Sequence, residues 1–367
     1  MKKNHPSAGN SPDSLTEQVK AFARSRGFAP VGVTPAEPAE EAEERLRHWI
    51  DRGYGASMEY LARAHPRRGH PTDLLPEARS ILCLAFNYYP GTPQLRHGGP
   101  STGRIARYAV GKDYHWVLKK KLREIERFLA QIGGPETRSR SFVDSGPVLE
   151  REFARRAGLG FIGRNTHLIT PTQGSWVFLC EVLTNLPLEP DKPIGVSCGS
   201  CTACLEACPT GALVEPFVLD SRKCISYWTI EHRGAIPETM QPQIKDWIFG
   251  CDLCQEVCPF NHKPKVTGES QFRQGVTLET RTPLMEILEL ASEESFRREF
   301  GAYPLLRPKR EGIIRNALIV AVNQNAVDTL PAIRSLAAGD SNDSIRRGAA
   351  QAARSIAGES NQNLTNP

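Results

Sequence analysis

Eight of the ten cysteines fall between Cys198 and Cys258, and they fall in a pattern. The first run reads Cys198-Gly-Ser-Cys201-Thr-Ala-Cys204-Leu-Glu-Ala-Cys208-Pro209. A second run, Cys251-Asp-Leu-Cys254-Gln-Glu-Val-Cys258-Pro259, repeats the last three cysteines of the first, and Cys224 stands alone between them. Thiolates three residues apart on a tight loop converge on one centre, so this stretch is expected to fold as short turns wrapped around something. A chain of 367 residues with 40% hydrophobic side chains does not need cysteines to staple its core. These cysteines are read as ligands.

The first run has the spacing C-x2-C-x2-C-x3-C-P of bacterial ferredoxins, in which the cysteine before proline ligates the other cluster of a pair. Applied here, that rule assigns Cys198, Cys201, Cys204 and Cys258 to one 4Fe-4S cluster. It assigns Cys208, Cys224, Cys251 and Cys254 to a second. Ligands shared between distant runs force the two clusters close together, near enough for electron hopping. The competing readings are zinc sites or disulfides. Structural zinc uses two separated C-x2-C or Cys/His pairs, the runs contain no histidine, and nothing in the chain signals secretion.

The first residues, Met1 to Pro12, are polar and contain no apolar run of the signal-peptide kind, so residues 1–13 read as a disordered tail. No apolar run approaches the length of a membrane span. A reducing, cytoplasmic setting is the expectation. The net charge of +5 and pI near 8.7 permit a polyanionic partner without requiring one.

Upstream of the cysteines, Ser14-Leu-Thr-Glu17 is a capping box opening a helix with Leu15, Val19 and Phe22 on one face and Gly27 as its stop. A second helix is expected over about Pro38 to Arg52, turning Leu46, Trp49 and Ile50 inward. Ser80 to Phe86 reads as a buried strand with Cys83 in the core, and Ser175 to Leu183 as another with Cys180. Leu118, Leu122, Ile125, Leu129 and Ile132 recur at steps of four and three, an amphipathic helix ended by Gly133-Gly134. Ser141 to Val143 looks like a strand end, and Asp144-Ser-Gly-Pro147 leads into a helix with Pro147 in its first turn and Gly158 at its stop. The bland role for Asp144 is to cap that helix. Gly158 to Gly163 is glycine-rich, either a close approach for a large ligand or a plain loop. Gly91 to Gly103 reads as a surface loop.

After Phe260 helical patterns take over. Arg315-x-Ala317-x-x-x-Ala321 and Arg347-x-Ala349-x-x-x-Ala353 match at a period of 32 residues, as in a short solenoid of helix pairs. Arg307, Lys309, Arg310, Arg315, Arg346, Arg347 and Arg354 make this part basic, either as solvated helix faces or as a nucleic-acid footprint. The whole reads as an α+β chain: a mixed α/β domain over 14–186, a ferredoxin-like two-cluster domain over 187–268, and a HEAT-like helical domain over 269–367. Two coupled clusters beside a separate α/β domain imply a redox enzyme with a second cofactor, since no ordinary side chain takes electrons singly from iron–sulfur.

Several stretches together resemble one family. They are Arg107-Tyr-Ala-Val-Gly-Lys-Asp-Tyr-His115, Val143-Asp-Ser-Gly-Pro147, Ala157-Gly-Leu-Gly-Phe-Ile-Gly-Arg-Asn-Thr166, Cys224-Ile-Ser-Tyr-Trp-Thr-Ile-Glu231 and Phe249 to Pro259. In order and in combination they are similar to the epoxyqueuosine reductases. The resemblance implies a cytoplasmic, monomeric enzyme that binds cobalamin in its N-terminal domain. Fed by an external electron donor through the clusters, it would reduce epoxyqueuosine to queuosine at the wobble position of tRNA. By residue-by-residue matching, Asp144 is the proton donor, Arg107, Leu168 and Ser226 line the cobalamin together with Asp144, and Arg233 and the basic tail touch tRNA. For Asp144 to donate, burial must outweigh the preference of a helix start for an anion. The competing classes are an iron–sulfur electron-transfer protein and a cobalamin-dependent reductive dehalogenase-like enzyme.

Overall fold

A computed structural model of the chain describes residues 14–63, 67–91, 100–273 and 279–358. The expected tail over 1–13 and most of the expected loop after Gly91 lie outside the described residues. Helix α1 (Leu15–Ser25) opens as anticipated, with the Ser14 hydroxyl accepting the Glu17 amide at 3.3 Å. Strand β1 (Val31–Pro35), α2 (Glu40–Asp51), β2 (Ser80–Asn87), β3 (Thr102–Ile105), α3 (Tyr114–Gly133), β4 (Ser139–Val143) and α4 (Glu150–Arg156) follow. On α2 the inward residues Leu46, Trp49 and Ile50 are only half-buried, and Trp49 donates its indole N–H to the Leu219 carbonyl. A short hairpin, β5 (Phe161–Ile162) and β6 (Leu168–Ile169), precedes β7 (Val177–Thr184).

The main sheet has the order β1-β2-β7-β4 and is antiparallel throughout. Both faces of its centre are covered, which is why β2 reads as a continuous apolar run. Side chains alternate between faces with period two. Leu82, Leu84 and Phe86 join Val19, Leu118, Leu122 and Ile125 under α1 and α3, whereas Ile81, Cys83 and Ala85 join Phe153 and Ala154 under α4. Cys83 and Cys180 are fully buried core thiols.

The cluster-bearing stretch contains α5 (Ala203–Glu206), the hairpin β8 (Leu213–Glu215) and β9 (Val218–Leu219), a π-helical turn at Tyr227–Glu231, α6 (Gln241–Ile244), β10 (Trp247–Phe249) and α7 (Leu253–Glu256). Strand β11 (Arg281–Pro283) leads into α8 (Leu284–Leu288), α9 (Glu293–Phe300), α10 (Lys309–Gln324), α11 (Leu330–Gly339) and α12 (Asp343–Ala357). A second sheet, β10-β3-β11, pairs one strand from the first third of the chain with two from the last. The Pro/Gly-rich stretch thus ends in the central strand of this sheet, and Gly103 is needed there. A Cβ on it would stand 2.2 Å from the Ile248 side chain.

The C-terminal part is helical, with Ala317 on α10 and Ala349 on α12 fully buried in one core. Helix α10 is buried on nearly all sides. The basic residues do not form one solvated face. Arg310 is 4% exposed and forms a buried pair with Asp340, its Nε donating to the Leu290 carbonyl at 2.7 Å. Arg315 donates to the carbonyls of Trp228 at 2.8 Å and Gly234 at 2.7 Å. Arg346 and Arg347 both bind Asp343, while Lys309 and Arg354 are exposed. Among the described residues no helix is long and apolar enough to cross a membrane.

Candidate functional site

Both cysteine runs fold as a loop, one short helical turn and a Cys-Pro exit, with Cys204 on α5 and Cys254 on α7 at equivalent places. Cys198, Cys201, Cys204 and Cys258 line one cavity of about 190 Å³, floored by Ile169 and Phe260. Cys224, Cys251 and Cys254 are pushed up by burial and by the charge of neighbouring thiolates, Cys208 bearing on Cys224 and Cys251, and Cys251 on Cys254. Cys204 also bears on Cys254, so the two groups adjoin. For Cys208 burial acts upward, but the Thr210 hydroxyl and the amides of Ala212 and Leu213 outweigh it and hold the thiol below its ordinary value. Like charges crowded in a half-buried site need a cationic centre to bind, and a cube offers one iron to each thiolate. Tetrahedral zinc would instead draw four ligands to about 2.3 Å from one ion.

Arg107 connects the N-terminal part to this site. Its guanidinium pairs with Asp252 at 3.0 Å and Glu256 at 2.6 Å, and its amide donates to the same Asp252 carboxylate at 2.9 Å. Asp252 lies directly after Cys251 of the second run and is 1% exposed. Leu168 is buried in the β5–β6 hairpin. From the same hairpin the Asn165 side chain donates to the Cys254 carbonyl at 3.2 Å. The glycines of this stretch are required by the chain's own packing. A Cβ on Gly158 would stand 2.5 Å from the Lys192 carbonyl oxygen, and one on Gly160 would stand 2.3 Å from that of Ile169. The plain-loop alternative accounts for them.

Asp144 occupies the corner after β4. The helix expected to start at Pro147 starts at Glu150 with Leu149 in the capping position, so Asp144 does not cap it. Its φ of +53° lies in the left-handed region, which costs a non-glycine residue roughly 1–3 kcal/mol and is found where the surroundings hold it. Three contacts do so. Its amide donates to Glu150 Oε1 at 2.7 Å, the Tyr114 hydroxyl donates to its Oδ2, and His115 Nε2 stands 3.8 Å from that oxygen, with the ring's Nδ1 2.8 Å from Asp113. Burial, and then the Asp144 charge, raise the Tyr114 phenol well above its usual value, so it stays a donor. The Asp144 carboxyl is 62% exposed, so the protein alone does not supply the burial that a proton donor was expected to need.

The cleft around it draws on distant segments. The Asp144 charge acts on Tyr60, Tyr108 and Arg307, and Arg307 pairs with Glu231 at 2.9 Å while lying over the Tyr60 ring. Glu231 ends the π-helical turn that begins after Ser226, and Ser226 hydrogen-bonds Cys224. One short turn therefore joins the second group of cysteines to the cleft, and π-turns recur at functional sites. Arg233 donates to the Arg307 carbonyl at 2.7 Å beside this wall. Sequence reasoning missed Tyr60, Glu150 and Glu181, quoted Tyr108, Tyr114, His115 and Glu231 without a role, and named Arg307 only among the basic residues of the tail. Glu181 carried a signal, as the one charged residue in the apolar run Trp176 to Leu183.

Comparison with known proteins places this arrangement. Residues 68–145 match the family described as "Epoxyqueuosine reductase QueG, DUF1730", and residues 197–261 match the "4Fe-4S double cluster binding domain". The epoxyqueuosine reductase of Synechocystis sp. is 44% identical over 295 residues, covering 79% of this chain and 98% of that protein. A crystal structure of an epoxyqueuosine reductase with an epoxyqueuosine-modified tRNA-Tyr stem loop superposes with a TM-score of 0.84 at 34% identity, over 93% of this chain and 90% of that one. The Bacillus subtilis enzyme, with its catalytic aspartate loop swung out of the active site, gives 0.83 at 33% identity, again over 93% and 90%. The two cysteine runs thus bind two 4Fe-4S clusters, and with identity of this order along nearly the whole of the relatives, the chain belongs to the epoxyqueuosine reductase family.

Proposed function

We propose that this protein reduces epoxyqueuosine in tRNA to queuosine, with Asp144 as the proton donor. The observation that carries the reading is the placement of one exposed carboxyl, held in a strained corner by Tyr114 and Glu150, within electrostatic reach of Arg307, whose partner Glu231 ends the turn that follows Cys224 and Ser226. Removing an epoxide oxygen takes two electrons and two protons and releases water. The oxygen leaves poorly as an anion, so a positioned donor contributes on the order of 10² to 10⁴ in rate. Because Oδ2 accepts the Tyr114 hydroxyl, Oδ1 is the oxygen left to deliver the proton. His115, fixed by Asp113, flanks the same carboxyl.

The cleft fits a large redox cofactor in its donor set. Phenols, carboxyls, an arginine and the Ser226 hydroxyl surround it, and none of them accepts electrons singly, yet it adjoins a cluster ligand through Ser226. We infer cobalamin there, held by Arg107, the backbone at Leu168, Ser226 and the Asp144 corner. When bound, it supplies nucleophilic chemistry at carbon, while the clusters relay single electrons from an external donor. Cys198, Cys201, Cys204 and Cys258 hold one cluster in this reading, and Cys208, Cys224, Cys251 and Cys254 the other. The division into a catalytic part (14–186), a cluster part (187–268) and a helical tRNA-binding part (269–367), a monomeric state and a cytoplasmic location belong to the same proposal.

The test is anaerobic reconstitution with iron, sulfide and cobalamin, followed by mass analysis of the nucleoside from tRNA carrying epoxyqueuosine. Cobalamin-dependent conversion supports the reading. Full cluster loading with no conversion would leave an iron–sulfur electron carrier.

A further inference from the structure

Behind Asp144 lie two carboxyls that no part of the proposed reaction uses. Glu181 is fully buried on β7, on the face that packs against α4, with Phe142 of β4 and Cys83 of β2 as its cross-strand neighbours. Glu150, in the first turn of α4, lies close enough for the two carboxyls to hydrogen-bond once one of them carries a proton. Neither Glu181 oxygen receives a donor from any other described group. Two ionised carboxylates are acceptors only, so this contact exists only if a proton lies between them. In a low-dielectric layer two negative charges also repel strongly, as in other carboxyl dyads that keep a single proton.

We propose that Glu150 and Glu181 share one proton and that the pair is a latch holding the Asp144 corner in its working conformation. One carboxyl donates to the other, which fixes the Glu150 side chain and leaves its Oε1 to accept the Asp144 amide at 2.7 Å. Losing the shared proton sets the two carboxylates against each other, frees Glu150 to swing away and releases a corner that is strained by its positive φ. Glu150 and Glu181 are positioning residues here. They act on Asp144 through its backbone and touch neither substrate nor cofactor.

The charged and titratable groups facing the pair agree with this. Asp144 on the β4 corner adds negative charge, and Arg151 on α4 offsets part of it for Glu150. Tyr114 on α3 and the thiols Cys83 on β2 and Cys180 on β7 stay neutral, each raised chiefly by burial. Burial first, and then the Asp144 charge, raise Glu150 above the ordinary carboxylate range; burial first, then the Glu150 charge and its hydrogen bond, raise Glu181 well above it. For a raised group, stability is greatest below the ordinary value of about 4.3 and declines as pH climbs through the folded value. The latch therefore opens on the alkaline side.

Infrared spectroscopy of the purified protein tests this without cofactor or substrate. A protonated-carboxyl C=O band is expected at neutral pH, kept in Asp144→Asn and lost in both Glu150→Gln and Glu181→Gln. Both Gln variants are isosteric and retain a donor between the side chains. A second arm rests on Asp144 being the proton donor. Glu181→Leu is expected to lower kcat by on the order of tenfold to a hundredfold, as loosely positioned groups do, with KM for tRNA unchanged. Glu181→Gln should restore kcat and remove the alkaline loss of activity. A band that persists in both Gln variants, or that is absent from the wild type, overturns the shared proton. An unchanged band loss with no kinetic effect of Glu181→Leu overturns the latch while leaving the pair intact. Failure of Asp144→Asn to slow turnover would instead remove the proton donor and not the pair.

Discussion

The cluster segment and the Asp144 cleft are neighbours joined by one helical turn, yet they are encoded in opposite ways. Seven of the eight cluster cysteines sit in two runs of eleven residues or fewer, and ligand spacing alone places them. The cleft takes Tyr60, Tyr108, Tyr114, Asp144, Glu231 and Arg307 from five separate stretches of chain. Ligation to iron is short-ranged and bond-directed, so a tight loop suffices. Aiming a proton at one substrate atom needs walls from several directions, and only tertiary structure supplies them.

The sharpest way to break this contrast is Cys258→Ala. If ligands cross between the runs, the cluster of Cys198, Cys201 and Cys204 should be lost or degraded, iron should fall from about eight to about four per chain, and turnover should vanish. EPR and iron analysis check it, and retention of eight irons would mean that local spacing does not place the ligands. Next in size is Asp144→Asn. Turnover should drop by on the order of 10² to 10⁴, with cluster content and cobalamin binding near wild type, as read in single-turnover assays. An active Asn variant would pass the acid role to another cleft residue.

Smaller effects are expected among the basic residues. Arg310→Ala strands the buried Asp340 charge and should destabilise the helical part by roughly 3–5 kcal/mol in denaturant unfolding. Arg347→Ala removes an exposed pair with Asp343 and should cost about 0–1 kcal/mol. Exposed Lys309 and Arg354 are the better candidates for tRNA phosphates. Their joint replacement should flatten the salt dependence of tRNA binding by about two contacts and leave stability unchanged.

What could be read from the sequence follows the same division. The strands β2 and β7, the helix α3 and the core thiols were visible because period and apolar runs are local properties. The helix start at Glu150 was misplaced at Pro147, since Pro147 suits a helix start but the chain first turns through the left-handed Asp144 corner. The basic tail was read as solvated helix faces or a nucleic-acid footprint, and neither describes Arg310 or Arg315. Arg310 and Arg315 have the composition of solvated helix residues, and only the placement of Asp340 and of the Trp228 and Gly234 carbonyls draws them inward. Glu181 received no role from the sequence, because its partner Glu150 is distant in the chain and meets it only when α4 packs on the sheet.

The β10-β3-β11 sheet has a consequence for how the chain is made. Its central strand, Thr102–Ile105, leaves the ribosome well before either neighbour, Trp247–Phe249 or Arg281–Pro283. Until both have been synthesised, it carries two open hydrogen-bonding edges, the feature that invites pairing with other chains. Any fragment that stops short of Pro283 keeps one of those edges bare. Completion of this sheet therefore waits on Arg281–Pro283, even though every cysteine and Asp144 have already been made.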